Sequence, residues 1–228
     1  MRAKHLLLFV MLLAIAGCNY PSVSFVSSKK IPPPFSLLAD PNNASPSYLK
    51  RIEKYNDILK SSPVPIFVMD QDDLPEKLKE FLKLPVLGIL HGVYVANSKD
   101  KEMPNKFIFI NNRNSPEATV VTFFHEYQHY LCEKKGCYCI SDNHLPKDEK
   151  MLYSILREKH ALENELRQSL KLKDPYLISN SFVSLTNYIL YNKECIYKLA
   201  AVMMVDGKLW NQATKFIVEQ EGKIKKVR

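Results

Sequence analysis

The stretch Val120–Leu131, V-V-T-F-F-H-E-Y-Q-H-Y-L, couples a strongly apolar helix to two histidines and a glutamate. Val120, Val121, Phe123, Phe124, Tyr127 and Leu131 give it enough apolar area to be buried, and a fold that buries it must also accommodate the ionisable groups it carries. His125 and His129 are four residues apart, so on a helix they point to one side, about 6 Å apart along the axis. That spacing suits two ligands of one zinc. Zinc takes neutral imidazole nitrogen at about 2.0 to 2.1 Å and in catalytic sites uses three protein ligands, leaving a fourth position for water. Glu126, beside the first histidine, is placed to take a proton from that water. Chance alone produces the five-residue pattern in roughly one sequence of this length in a hundred, so the surroundings of the motif carry the argument.

The chain has 228 residues, 46% hydrophobic and 11% aromatic, enough for one compact domain with a core and cramped for two. Residues 1–18 stand apart from that domain. Arg2 and Lys4 precede an apolar run from Leu6 to Ala16, too short for the about 20 residues that cross a bilayer and suited to a cleaved signal. The run ends in Ile15-Ala16-Gly17-Cys18, which resembles a bacterial lipoprotein signal with its lipobox. The resemblance implies that Cys18 becomes the acylated first residue of the mature chain, tethered to a membrane by acyl chains worth roughly 0.8 kcal/mol per buried methylene. Asn19 rather than Asp follows the cysteine, which implies the outer membrane or cell surface of a bacterial envelope rather than the inner membrane.

The formal charge of +8 falls to +6 when Arg2 and Lys4 leave with the signal, and the excess is spread along the chain. No nucleic-acid module or dense basic stripe is present, so no nucleic-acid partner is expected. The basic end, Lys223 to Arg228, reads as a solvated tail. Residues 19–45 hold Pro21, Pro32, Pro33, Pro34 and Pro41 among serines and asparagines, the composition of a tether. A single domain is then expected over residues 46–228.

Ser45-Pro46 forms a helix start before Leu49, Ile52, Tyr55, Ile58 and Leu59 at helical spacing, and Pro63-Val64-Pro65 stops it. Ile66–Met69 reads as a short strand, Pro75–Leu84 as a short helix, and Ile89–Ala96 and Phe107–Ile110 as paired strands. Ser115-Pro116-Glu117 starts the next helix, with Gly136 placed to end it, so the histidine motif lies mid-helix after strands. A long helix is predicted over Lys147–Lys173, with Leu152, Ile155, Leu156, Leu162, Leu166 and Leu170 on its apolar face. Asp174-Pro175 interrupts it, Leu177–Val205 is mainly helical, and a final helix runs from Leu209 to Glu221.

A third zinc ligand cannot be the histidine that ends H-E-x-x-H-x-x-G-x-x-H, because those later positions are Cys132 and Lys135. A carboxylate from a second helix is the remaining route, and Arg157–Glu165 is its source. Here the chain resembles a small zincin of the gluzincin type, with H-E-x-x-H on one helix and a ligand Glu on a later one. The likeness runs over about residues 125–165. It implies an α+β fold, with a small mainly antiparallel or mixed sheet before the motif helix and a helical C-terminal part. In such proteins a small residue often follows the ligand by three positions, and Glu158 followed by Ala161 fits. Glu163, nearer the centre of the apolar face by projection, His160 and Glu165 are alternatives. His160, His144, Tyr153 and Tyr191 are each candidates to stabilise a transition state.

Cys132, Cys137, Cys139 and Cys195 are an even set in an exported chain, which favours disulfides; the alternatives are free thiols and a structural zinc on Cys132, Cys137, Cys139 and His144. The function expected is that of a lipid-anchored zinc metallopeptidase acting on a peptide or protein substrate. His125, His129 and Glu158 hold the metal, and Glu126 is general base. The alternative is an envelope lipoprotein that keeps the fold as a binding or scaffold module without turnover. Substrate identity and oligomeric state do not follow from the residues.

Overall fold

The computed structural model describes residues 45–74, 79, 91–97, 104–135, 147–191 and 196–227. These show the expected α+β architecture: a small mixed sheet, the helix that carries the histidine motif, then helices to the end. The lipobox, residues 19–44 of the tether, the predicted helix Pro75–Leu84 apart from Lys79, and Gly136, Cys137, Cys139, His144 and Cys195 lie outside the described residues. The described chain falls into two compact units that divide between Tyr130 and Leu131. Among the described residues no helix is long and apolar enough to cross a membrane.

The first unit opens with α1 (Pro46–Lys60). Ser45 caps it, its side chain accepting the Tyr48 N–H at 3.3 Å, and Pro46 occupies the first turn where no N–H is needed. Ile52, Tyr55 and Leu59, three of the five residues predicted for its apolar face, are buried. Strands β1 (Ile66–Met69), β2 (Gly92–Val95) and β3 (Phe107–Asn111) form one sheet in the order β1-β3-β2. β3 runs parallel to β1 and antiparallel to β2, with Tyr94 opposite Ile108 and Gly92 opposite Ile110.

β3 is the central strand, and its side chains are all buried, which is why Phe107-Ile108-Phe109-Ile110 shows no polar alternation. Phe67, Leu74, Val95, Phe107 and Phe109 pack on one face, with the Phe67 and Phe107 rings edge to face at 5.4 Å. Each such side chain contributes about 1.5 to 3 kcal/mol on burial. Beyond the strand ends, Arg113 donates to both oxygens of Asp70, at 2.8 and 3.0 Å, and to Asp72 at 2.9 Å, tying the exit of β3 to that of β1. The chain then enters α2 (Pro116–Lys134), with the Ser115 hydroxyl accepting the Ala118 N–H.

The second unit is built on α3 (Lys147–Leu172), α4 (Pro175–Tyr191), α5 (Ile196–Met203) and α6 (Gly207–Val227). Ile155, Leu162 and Leu166 of α3 meet Ile178, Leu185, Ala201, Leu209 and Ala213 in one core. Leu152, predicted for that face, is instead half exposed. α3 ends at Lys173 with φ of 52°, a left-handed residue that reverses the chain. Asp174 then caps α4, its carboxylate accepting the N–H groups of Tyr176 and Leu177 at 3.0 and 3.3 Å. The region predicted as mainly helical, Leu177–Val205, holds α4 and α5. α6 starts at Gly207, two residues before its predicted start, because Asp206 accepts the Lys208 N–H at 2.8 Å and acts as a cap that Asp-Gly conceals by reading as a turn.

Candidate metal centre

α2 is buried on most of its circumference, and it carries His125, Glu126 and His129 inward with it, at 5%, 7% and 5% exposure. The potential ligand atoms of the three lie within 4.8 Å of one another. The imidazole rings are 4.9 Å apart between centroids and nearly perpendicular, at 80°. Two imidazoles and a carboxylate brought this close in the interior pay a desolvation cost that a divalent cation offsets. Nitrogen and carboxylate donors on one side of a helix are chemically suited to a borderline metal such as zinc. Among the described residues this is the one group with three such donors in reach of a single ion.

Strand β2 lies against this trio. The Asn111 N–H donates to the His91 carbonyl at 2.9 Å, which places His91 in a hydrogen-bonded pair with β3. Bonding alternates along an antiparallel pair, so Val93 bonds to Phe109 while Gly92 and Tyr94 turn their N–H and C=O groups away from β3. The Tyr94 N–H accordingly donates to Glu126 Oε2 at 2.7 Å. At Gly92 the helix approaches so closely that a Cβ would collide with the Thr122 methyl, lie 2.9 Å from the Phe109 carbonyl oxygen and 3.6 Å from Glu126 Cγ. One turn on, the Tyr94 and Tyr130 rings meet edge to face at 5.9 Å.

The entry to β2 is fixed to the entry of α2 by a two-way contact. Asn114 Nδ2 donates to the His91 carbonyl at 2.9 Å, so its Oδ1 is the acceptor for His91 Nδ1–H at 2.8 Å. None of Gly92, Tyr94, Thr122 and Asn114 was singled out from sequence. The available signal was Gly92 itself, a glycine inside a strand, which marks a close backbone approach.

The remaining predicted residues fall on α3 and beyond. Glu158 and His160 are half-buried, and burial first, then the neighbouring Lys159 charge, lowers the His160 pKa below its ordinary 6.5. Glu163 is buried and holds the second unit together. It meets Lys159 at 2.7 Å and Arg167 at 3.3 Å, and accepts the Asp206 N–H at 3.0 Å at the start of α6. Glu165 is buried and accepts from the Ser184 hydroxyl at 3.3 Å. Tyr153 is half-buried, and Cys132 is buried at the end of α2.

An α+β chain with H-E-x-x-H on a buried helix beside a strand is the arrangement of a zinc-peptidase-like domain. Residues 89–153 match the peptidase M78 family, described as the IrrE N-terminal-like domain. The match spans β2, β3, α2 and the first part of α3 and ends five residues before Glu158. No curated protein and no solved structure gives a significant match.

Proposed function

We propose that the chain is a zinc-dependent metallopeptidase held at a bacterial membrane surface by acylated Cys18. The observation that carries the reading is the burial of His125, Glu126 and His129 with their ligand atoms within 4.8 Å on a helix laid against β2. His125 and His129 hold the metal, and Glu158 is the third ligand. Glu158 is chosen because Ala161, a small residue, follows it by three positions as in the gluzincin pattern. When bound, zinc supplies Lewis acidity that polarises a carbonyl and brings the pKa of a bound water to about 7. Glu126 takes the proton from the attacking water and passes it to the leaving amine. Among the described residues β2 pairs on one side only, and its Gly92 carbonyl and N–H face outward, the geometry that lets an extended peptide align by strand addition.

The test is metal analysis of the purified chain together with hydrolysis of a mixed peptide library by wild type and Glu126→Gln. Bound zinc and a loss of about 10²- to 10⁴-fold in kcat with zinc retained are expected. Zinc without hydrolysis in the wild type would leave the chain a binding module, and absence of zinc would end the metallopeptidase reading. The anchor is tested separately: Cys18→Ser moves the chain from the membrane fraction to the soluble one if Cys18 carries the acyl chains.

A further inference from the structure

We propose that the backbone N–H of Tyr94 is a positioning group that holds Glu126 in its working orientation, leaving one carboxylate oxygen fixed and the other for proton transfer. The inference rests on the metallopeptidase reading for its catalytic consequence, but its structural half stands alone. A glutamate side chain on a helix has three rotatable bonds, and a general base misplaced by an ångström loses much of its effect. Three observations converge on the restraint. The bond phase of the β2–β3 pair turns the Tyr94 N–H outward, so it is not consumed by the sheet. Glu126 Oε2 receives that N–H at 2.7 Å, the length of a charge-assisted bond. Gly92 carries no Cβ where one would meet Thr122 and crowd Glu126, so β2 can approach α2 closely enough for the bond to form.

The restraint therefore comes from the main chain, while the ring at position 94 packs edge to face on Tyr130. A strand that presents one outward N–H to the base and leaves the outward groups of Gly92 beside it also sets where an extended peptide starts to pair. It brings the base and the substrate-aligning edge to one strand, with Gly92 and Tyr94 two residues apart.

Proline at an outward-facing strand position removes that N–H without breaking a ladder bond, and it leaves Val93 in the extended conformation it already has. Tyr94→Pro is therefore compared with Tyr94→Ala, which truncates the same side chain and keeps the N–H. With equal zinc content and similar KM, kcat for Tyr94→Pro is expected to fall about 10- to 100-fold below that of Tyr94→Ala, the range for losing a hydrogen bond to a charged group. Equal kcat values would overturn the proposal. The second measurement needs neither activity nor a proline variant: amide hydrogen exchange at Tyr94 in the full-length chain, wild type against Glu126→Ala. Exchange at Tyr94 is expected to accelerate at least tenfold while Val93 and Val95 are unchanged. Unchanged exchange at Tyr94 would refute the bond whatever the chain hydrolyses. Accelerated exchange in a chain that hydrolyses nothing would uphold the bond and reject the metallopeptidase reading.

Discussion

At Gly92 a single hydrogen atom in place of a methyl group decides whether α2 can lie on β2. A Cβ there would meet the Thr122 methyl and the Phe109 carbonyl oxygen at once. The carbonyl belongs to the central strand and cannot turn aside, so strand and helix would have to part. Gly92→Ala is expected to cost about 1 to 3 kcal/mol, the usual penalty for overpacking, and to carry Glu126 out of reach of the Tyr94 N–H. Urea midpoints check the first effect, and Thr122→Ser in the same chain should recover part of it by removing the methyl. A full-stability Gly92→Ala variant would show that the close approach is not fixed by this residue. Asn114 works from the other side, accepting from the His91 ring and donating to the His91 carbonyl, so the entries of β2 and α2 are held in register by one side chain.

Among the elements, the exits of β1 and β3 are tied together by charge. Burial pushes the Asp70 carboxyl pKa up, but the Asp72 N–H and the Arg113 guanidinium outweigh it and hold the value below the ordinary 3.8. A carboxylate whose pKa is lowered by folding stabilises the fold above its unfolded pKa and loses that contribution as pH falls through the lowered value. Asp70→Asn should therefore unfold at lower urea than wild type at pH 7, and the gap should close as pH drops below 3.8. A gap that persists in acid would show that the carboxylate charge is not its source. Arg113 is partly exposed, so the effect is modest and weakens in salt. In the second unit a comparable task falls to Glu163, which joins α3 to the start of α6.

On the scale of the whole molecule, the proposed zinc site would link metal binding to folding. A ligand that binds only the folded chain adds about 2.7 kcal/mol when its free concentration is one hundred times Kd. Zinc is expected to raise Tm and a chelator to lower it. Glu158→Gln should shrink the zinc-induced rise, whereas Glu163→Gln should lower Tm with and without zinc and leave the rise intact. Calorimetry with and without zinc reads both, and an undiminished rise in Glu158→Gln would remove it from the ligand set.

What the sequence determined by itself was local. The cap at Ser45, the prolines that start α1 and α2, and the apolar run of β3 act over a few residues, so they were legible as pattern; Asp174-Pro175 was legible as a break, while its role as the start of α4 was not. The same holds for His125, Glu126 and His129, whose common burial and mutual reach follow from the helical repeat of one segment. The start of α6 was misplaced because Asp206-Gly207 serves equally as a turn or a cap, and the choice falls to the Lys208 N–H and the distant Glu163. Tertiary structure alone decided which backbone group meets Glu126 and which backbone group meets Glu163. The Tyr94–Glu126 bond joins residues 32 apart and the Glu163–Asp206 bond residues 43 apart. No local propensity encodes such pairs, because the phase of a strand and the approach of a helix exist only once the elements have packed.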